Sequence, residues 1–520
     1  MTTTAIFNSS ATAGTNTLVT QGNDLFVADS ATLVSTGAIG VYGEGNNFLT
    51  IQGSVHGEGA GVWLENAAAV TTRIHLGPEA TLSGIYGLRA VNINLQMTNL
   101  GDIFGTTNGV RFFGDQLDAM NSGTISGTRG MSISGTHVRI QNSGDIVGQD
   151  YGVLAIVTSF HAVNSGNVSG TVGLYVAVAS PSETSLIVNT GTISTTDTYA
   201  VVFAGSGTVV NHGMIDGQIS GSALENIVRN TGTISEQIDM GGDGDKVVNK
   251  GIIDGDIELG LGADTFISRG GDVTGTIYGG NGDDTFVIDN DELVISESAG
   301  ADTGTDTLRS SVSIDMADNI EILKLTGSRN IDGTGTGAAD VMTGNSGDNV
   351  LRGRAGYDTL DGRDGDDVLR GQKGDDTIDG EEGDDRLIGN AGNDILTGGA
   401  GDDILIGGVG KDRMFGDGTG AGDAGVDVFV FRGVRDSTVG ASDRILDYQV
   451  QHDKIDLSML TDDTLTMTRN SFLGGKEASF FTLGVTNGSR VMIDVDGDGA
   501  ADMRIDLINA KGLQISDFIL

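Results

Sequence analysis

The chain has 520 residues, 71 acidic and 29 basic, and its formal net charge of −42 repels nucleic acid and anionic lipid while collecting cations. Only 5% of residues are aromatic, 85 are Gly and none is Cys, which excludes a large aromatic core, disulfides, thiolate metal sites and Cys nucleophiles. No apolar run reaches the roughly 18 residues that a membrane-spanning helix needs. The N-terminal MTTTAIFNSSATAG has no basic segment followed by an apolar one, so export through a classical signal peptide is not expected.

With only Pro78 and Pro181 in the chain, its turns must rest on Gly, Asn and Asp. Residues 1–240 are read as a right-handed parallel β-helix. From Asn99 the pattern Asn-x-Gly-x-Ile/Val returns at Asn121, Asn142, Asn164, Asn189, Asn211, Asn230 and Asn249, mostly in steps of 21 or 22 residues with 25 and 19 as departures. Short β-branched stretches such as GVLAIV and YAVVF lie between the turns, and no helical period is sustained. One such unit cannot bury its apolar face alone, whereas stacked units share an interior. Ile103, Ile125, Ile146, Val168 and Ile193 are expected to stack inward, and Asn121, Asn142 and Asn164 to sit at turns where Asn tolerates left-handed geometry. Residues 1–98 carry a more blurred version of the pattern.

A nine-residue unit appears next. In 241–287 it is found as LGLGADTFI with Asp264 and GGNGDDTFV with Asp284, while GGDGDKVVN is read with Lys246 in the place of the acid. After an irregular spacer, 288–334, the chain steps in nines through 335–430, broken only by the six-residue insertion GDGTGA before a tenth copy. Each unit is a Gly-rich turn that ends, with Asn349 as the exception, in an acid, followed by a three-residue strand with one apolar residue at its centre. So thin a core cannot offset a chain entropy of roughly 1 to 2 kcal/mol per residue. If two units make one coil, Asp358, Asp376, Asp394 and Asp412 stack on one edge and Asp367, Asp385 and Asp403 on the other, joined by Asp340 and Asp427 near the ends. Such columns repel unless a hard cation takes their oxygens, and calcium, with about six to eight oxygen ligands, suits carboxylates and Gly-turn carbonyls better than magnesium.

These units resemble the Gly-Gly-x-Gly-x-Asp-x-apolar-x nonapeptides of repeats-in-toxin, or hemolysin-type, proteins, which implies a parallel β-roll holding several Ca2+ ions. Arg and Glu at some second and third positions depart from the family pattern. Residues 431–520 leave the nine-residue register but keep β-type alternation. DVDGDGAAD offers Asp494, Asp496, Asp498 and Asp502 in the first half of an EF-hand spacing; Ile505 stands where the last ligand, Glu, belongs, so the segment is read as a calcium-type turn between strands, with an ordinary acidic hairpin as the alternative. This region resembles the C-terminal domain of serralysin-type secreted metalloproteases, down to the ending Asp517-Phe518-Ile519-Leu520. That resemblance implies a type I exporter as partner, reached through an uncleaved C-terminal signal, and a secreted or cell-surface location.

The expected fold class is therefore all-β: an N-terminal β-helix, then a calcium-binding β-roll, then a C-terminal β cap. A protease is disfavoured because His-Glu-x-x-His is absent, and the six His show no ligand spacing. GDGTGA also fits a dinucleotide Gly pattern, but no βαβ unit surrounds it and the neighbouring acids repel phosphate. Arg111, Asp115, Asp118, Asp150, Tyr151 and His161 are the one modest polar cluster, and solvated coil residues explain it as simply as catalysis does. The expected function is a secreted calcium-binding surface or matrix component, adhesin-like and non-catalytic, with extracellular polysaccharide or a cell surface as its partner. The alternative is a polysaccharide lyase, hydrolase or epimerase working on the β-helix.

Overall fold

The structure is a computed structural model. It describes all residues except 1–4, 8–10, 14–17, 22–23, 30, 37–38, 45–47, 179–184, 299–303, 418–424, 462–463, 474 and 476. The fold is all-β, a parallel β-solenoid, and the one helical feature among the described residues is a single 3-10 turn, Ile515–Asp517. The chain falls into two compact units, 1–284 with 293–296, and 285–292 with 297–520.

In the first unit each coil pairs in parallel register with the coils before and after it. Ile103 meets Ile125, then Ile146, Val168 and Ile193, and the same column runs on through Ile215, Ile234 and Ile253. All of these are at most 2% exposed, because each is the inward residue of its short edge and the coils stacked on it exclude water. Along a coil the buried set changes phase. In Asp102–Asn121 the inward residues Val110 and Phe112 are even-numbered, but Leu117 and Ala119 are odd-numbered, so the chain turns a corner across Gly114–Gln116. Side chains on either side of that corner belong to different faces.

The Asn turns work differently from the sequence expectation. Asn99, Asn121, Asn142, Asn164, Asn189, Asn211, Asn230 and Asn249 are at most 3% exposed, and none has a positive φ. Each amide Nδ2 from Asn99 to Asn230 donates to the Oδ1 of the next Asn, at 2.7 to 2.9 Å. The same nitrogen also donates to main-chain carbonyls of the turns, as Asn164 does to Gly166 and Thr192. A buried primary amide must satisfy two donors and an acceptor, and an unbroken ladder does so. The left-handed assignment of Asn121, Asn142 and Asn164 is thus corrected: burial and hydrogen bonding, not backbone handedness, select Asn.

In the second unit two columns of apolar residues share one thin core. Met342, Leu360, Ile378, Leu396 and Met414 form one, and Leu351, Leu369, Leu387, Leu405 and Phe429 the other, all 0% exposed. Neither column ends with the nine-residue units. Met414 pairs with Ile445 and that in turn with Leu507, while Phe429 pairs with Ile455 and that with Phe518. The last strand, Phe518–Ile519, therefore closes the second sheet. Beside it Asp517 is buried, its Oδ1 accepting the Gln451 N–H at 2.7 Å and its Oδ2 that of Gln514 at 2.6 Å. An antiparallel set, Ser479–Val485, Gly488–Asp494 and Met503–Ile508, completes the C-terminal region.

Candidate metal centre

The turns of the second unit place the sixth-position acids inside the protein. Asp358, Asp367, Asp376, Asp385, Asp394, Asp403 and Asp412 are each at most 1% exposed. In every case Oδ1 accepts the main-chain N–H of the residue one coil earlier. The bonds are 2.9 Å for Asp358 to Asp376, Asp376 to Asp394 and Asp394 to Asp412 on one edge, and 2.7 and 2.8 Å for Asp367 to Asp385 and Asp385 to Asp403 on the other. The second oxygen, Oδ2, is buried with no hydrogen-bond partner in all seven.

A buried carboxylate with one bare oxygen is an expensive anion. Burial drives these groups above the ordinary 3.8, to about 6 for Asp358 and Asp376, about 7 for Asp385 and Asp394, and about 8 for Asp367, Asp403 and Asp412. The N–H bonds pull the other way, and neighbouring acids add to the rise. Without a cation, Asp367, Asp403 and Asp412 retain protons near neutrality, whereas Asp358 and Asp376 lose theirs below it.

The bare oxygens face a space that only Gly leaves open. A Cβ on Gly389 would overlap Asp394 Oδ2 and press on the Gly407 carbonyl oxygen, and Gly398 stands in the same relation to Asp403 and to the Gly416 carbonyl. Carboxylate and carbonyl oxygens thus converge without any nitrogen or sulfur donor, a set that fits a hard cation of calcium's size. The turns also demand left-handed backbone at their second and fourth positions. Gly374, Gly383 and Gly392 supply it at the fourth, but Arg354, Arg363, Gln372, Glu381 and Asn390 adopt φ of 73 to 83° at the second. The departures from the family pattern are therefore strained residues that keep the turn's shape.

Gly389→Ala is expected to raise the calcium concentration needed for half-folding by roughly tenfold, since forcing a methyl into a filled space costs about 1 to 3 kcal/mol. Gly433→Ala, where an added Cβ meets nothing within 4 Å, is the matched control. Equal midpoints for the two variants, read by circular dichroism, would remove this convergence from the calcium site.

The remaining expected acids behave differently from one another. Asp340 is satisfied locally, its Oδ2 accepting the Thr336 N–H at 2.6 Å and its Oδ1 the Thr336 hydroxyl at 3.0 Å. Asp427 takes the Asp403 N–H at 3.1 Å and keeps a bare Oδ2. In the first unit Asp264 and Asp284 belong to the same kind of ladder, accepting the N–H of Asp245 at 2.6 Å and of Asp264 at 2.7 Å. The ladder reaches back to Asp245, which accepts the Asn226 N–H at 2.5 Å. The reading of Lys246 as the defective acid position is therefore corrected: Lys246 pairs with Thr265 as a strand residue, Asp245 holds the acid place, and Asp243, at φ 65°, takes the turn position that Gly262 fills one coil later.

Two acids outside the repeats join the columns. Asp443 accepts the Asp412 N–H at 2.8 Å and Asp453 that of Asp427 at 3.4 Å; both are at most 1% exposed, and burial pushes Asp443 to about 9. The signal was present as Asp443-Arg-Ile and Asp453-Lys-Ile, the last third of a unit without its glycines. A second, exposed set of fifth-position acids runs in the opposite sense: Asp348, Asp366, Asp384 and Asp402 each accept an N–H one coil later, at 2.7 to 3.2 Å. In the C-terminal loop a carboxylate oxygen from each of Asp494, Asp496 and Asp498 lies within 4.8 Å of the others, while Asp502 instead accepts the Val495 N–H at 2.8 Å.

The polar cluster of the first unit is not one site. Arg111 stands on the segment before the Gly114–Gln116 corner, whereas Asp118 stands after it, two coils from His161 with Arg139 between them. Tyr151 and Arg111 share a face, and Asp115 lies in the corner itself.

Parallel coils, buried acid columns and oxygen-only pockets define a calcium-binding β-solenoid. Residues 334–369, 361–396 and 388–418 match the family model of the RTX calcium-binding nonapeptide repeat, so this segment carries hemolysin-type RTX repeats and binds calcium. Proteins with this repeat are usually secreted. No curated protein sequence matches the chain. Among solved structures it is similar to the AlgE6R3 subunit of the Azotobacter vinelandii mannuronan C5-epimerase at 27% identity, over 30% of this chain and 77% of that one, with a TM-score of 0.16. That likeness carries no argument about function. No helix among the described residues is long and apolar enough to cross a membrane.

Proposed function

We propose that the protein is an extracellular, non-catalytic surface or matrix component that leaves the cell through a type I exporter by its C-terminus and folds on calcium outside. The observation that carries this reading is the row of buried carboxylates with one unpartnered oxygen each, from Asp358 to Asp427. In a calcium-poor cell interior such columns favour an open, threadable chain. Outside, each filled site adds RT ln(1+[L]/Kd), about 2.7 kcal/mol at about 100 times Kd. The proposed ligands are the sixth-position acids, Asp358, Asp367, Asp376, Asp385, Asp394, Asp403, Asp412 and Asp427, with Asp264 and Asp284 in the earlier block, Asp340 at the start of the roll, and a separate loop site at Asp494, Asp496, Asp498 and Asp502. A serralysin-like C-terminal domain over 431–520 is part of the same proposal.

The test is a calcium titration of the full chain followed by hydrogen exchange. Protection of residues 340–427 should rise with calcium and not with equal magnesium, while the first unit's Asn turns are protected throughout. Protection that is complete under chelation would sink the folding switch. The enzyme alternative has its best foothold where Asp118, Arg139 and His161 stack on successive strands, beside a groove of about 260 Å3 that includes His137 and Ser159. Release of unsaturated or shortened products from uronate polymers would favour it.

A further inference from the structure

Residues 1–240 contain six basic side chains, all Arg, against many more acids. Three of them gather on one face. Arg89 and Arg111 are direct partners on adjacent strands, and Arg129 stands on the neighbouring column between Asn108 and Tyr151. Like charges placed opposite each other on a sheet destabilise it. Yet the four ion pairs found among the described residues all lie in the second unit, so no carboxylate holds any of these three guanidiniums. In a chain this acidic, three unpaired cations in a row call for another explanation than chance solvation.

Rings hold the cations in place. The Arg89 guanidinium lies 3.8 Å from the Trp63 ring centre and 5.5 Å from that of Tyr86; Arg111 lies 5.5 Å from Tyr86 and donates to its hydroxyl at 3.0 Å; Arg129 lies 5.8 Å from Tyr151. Arg89 Nε is buried without a hydrogen-bond partner. Cation–π contact fixes a guanidinium without neutralising it, and leaves its N–H fork free for a bidentate anion. Phe113, 55% exposed beside Arg111, and Ile156, 54% exposed two coils on, add apolar surface to the same face.

We infer that this face binds a linear acidic polysaccharide with one carboxylate per sugar. Coils recur about every 4.8 Å, so successive guanidiniums meet successive carboxylates of a polymer laid along the stack. Phe113 and the tyrosine rings receive the apolar faces of its sugars. Nucleic acid fits less well, since its charge of about one per 1.7 Å is repelled more strongly by the chain's net −42. This partner rests on the extracellular reading for its source, though not for its chemistry.

The experiment uses the full chain in calcium with short oligogalacturonates that do not gel, a neutral oligosaccharide of equal length and single-stranded DNA, measured by titration calorimetry. The oligogalacturonate should bind, and Arg89→Gln with Arg111→Gln should weaken it by roughly tenfold or more, the order expected for lost charge-assisted bonds. Arg229→Gln, exposed on the strand Asn226–Asn230 of a later coil, should leave it unchanged. Because Arg89 packs on Trp63, the exposed Arg111→Gln alone is the second variant and should lose a measurable part. No binding, equal binding of the neutral sugar, tighter binding of DNA, or full affinity in the double variant, as when calcium bridges sugar to acids, overturns the inference. Calcium-dependent folding followed in the same samples reports separately on the proposed function.

Discussion

Stripped of calcium, the roll is expected to be folded in mild acid and open in mild base. The sixth-position acids have folded-state values above the unfolded 3.8, from about 6 at Asp358 to about 8 at Asp412, so the metal-free folded state binds more protons than the unfolded chain. Stability from a raised group is complete below the unfolded value and is lost as pH climbs through the folded one. Calcium reverses the slope, because it displaces the protons from the same oxygens and is bound more tightly as they leave. Circular dichroism with a chelator at about pH 5 and about pH 8, then with calcium at both, shows the crossing. A metal-free roll equally ordered at the higher pH would mean that the bare Oδ2 atoms are tolerated as anions. Proton release on saturating calcium, followed in weak buffer, should fall as the pH rises through the range in which the column titrates, from about 6 at Asp358 to about 8 at Asp412.

The second large effect belongs to the first unit. Asn164→Ala takes the acceptor from Asn142 Nδ2, at 2.7 Å, and the donor from Asn189 Oδ1, at 2.8 Å, and leaves a cavity between coils. Two buried polar groups each short of a partner, plus the void, amount to about 3 kcal/mol or more of lost stability. Thr106→Ala, at an exposed position, should cost a few tenths at most. Denaturant unfolding of the first unit in saturating calcium compares them, and a loss no larger than that of Thr106→Ala would show that the ladder contributes little beyond register.

Much of this was readable before any coordinates. The inward column from Ile103 to Ile193 and the apolar centres from Met342 to Phe429 follow from period alone, because a residue that returns at the coil length must stack on itself. What period could not give was phase. Asp245 and Lys246 are neighbours, and only strand pairing decides which one enters the turn. Asp443 and Asp453 were missed because the Gly signature marks the turn and their Asp-x-Ile remnant lacks it, whereas their place is set by strands that pair with the roll after the turn has changed. Arg111 and Asp118 looked like one cluster because a corner cannot be located from composition; the switch from Phe112 to Leu117 as the inward residue separates them. The Asn turns were found and misexplained, since a residue favoured in left-handed turns is equally favoured wherever a buried amide must serve three partners.

The amide-to-carboxylate bonds that link successive acids of the two buried columns run from an earlier coil to a later one, and the last acceptors are Asp443 and Asp453. An aspartate's own N–H therefore waits for chain that has not yet arrived. Removing coils from the N-terminal side bares the Oδ1 atoms of the next buried acids, and it also takes acceptors from later amides such as those of Asp366 and Thr377. Removing 431–520 strips the amides of Asp412 and Asp427 of their acceptors. The buried columns therefore have a polarity, and their C-terminal ends are complete only when the strands of 431–520 are seated.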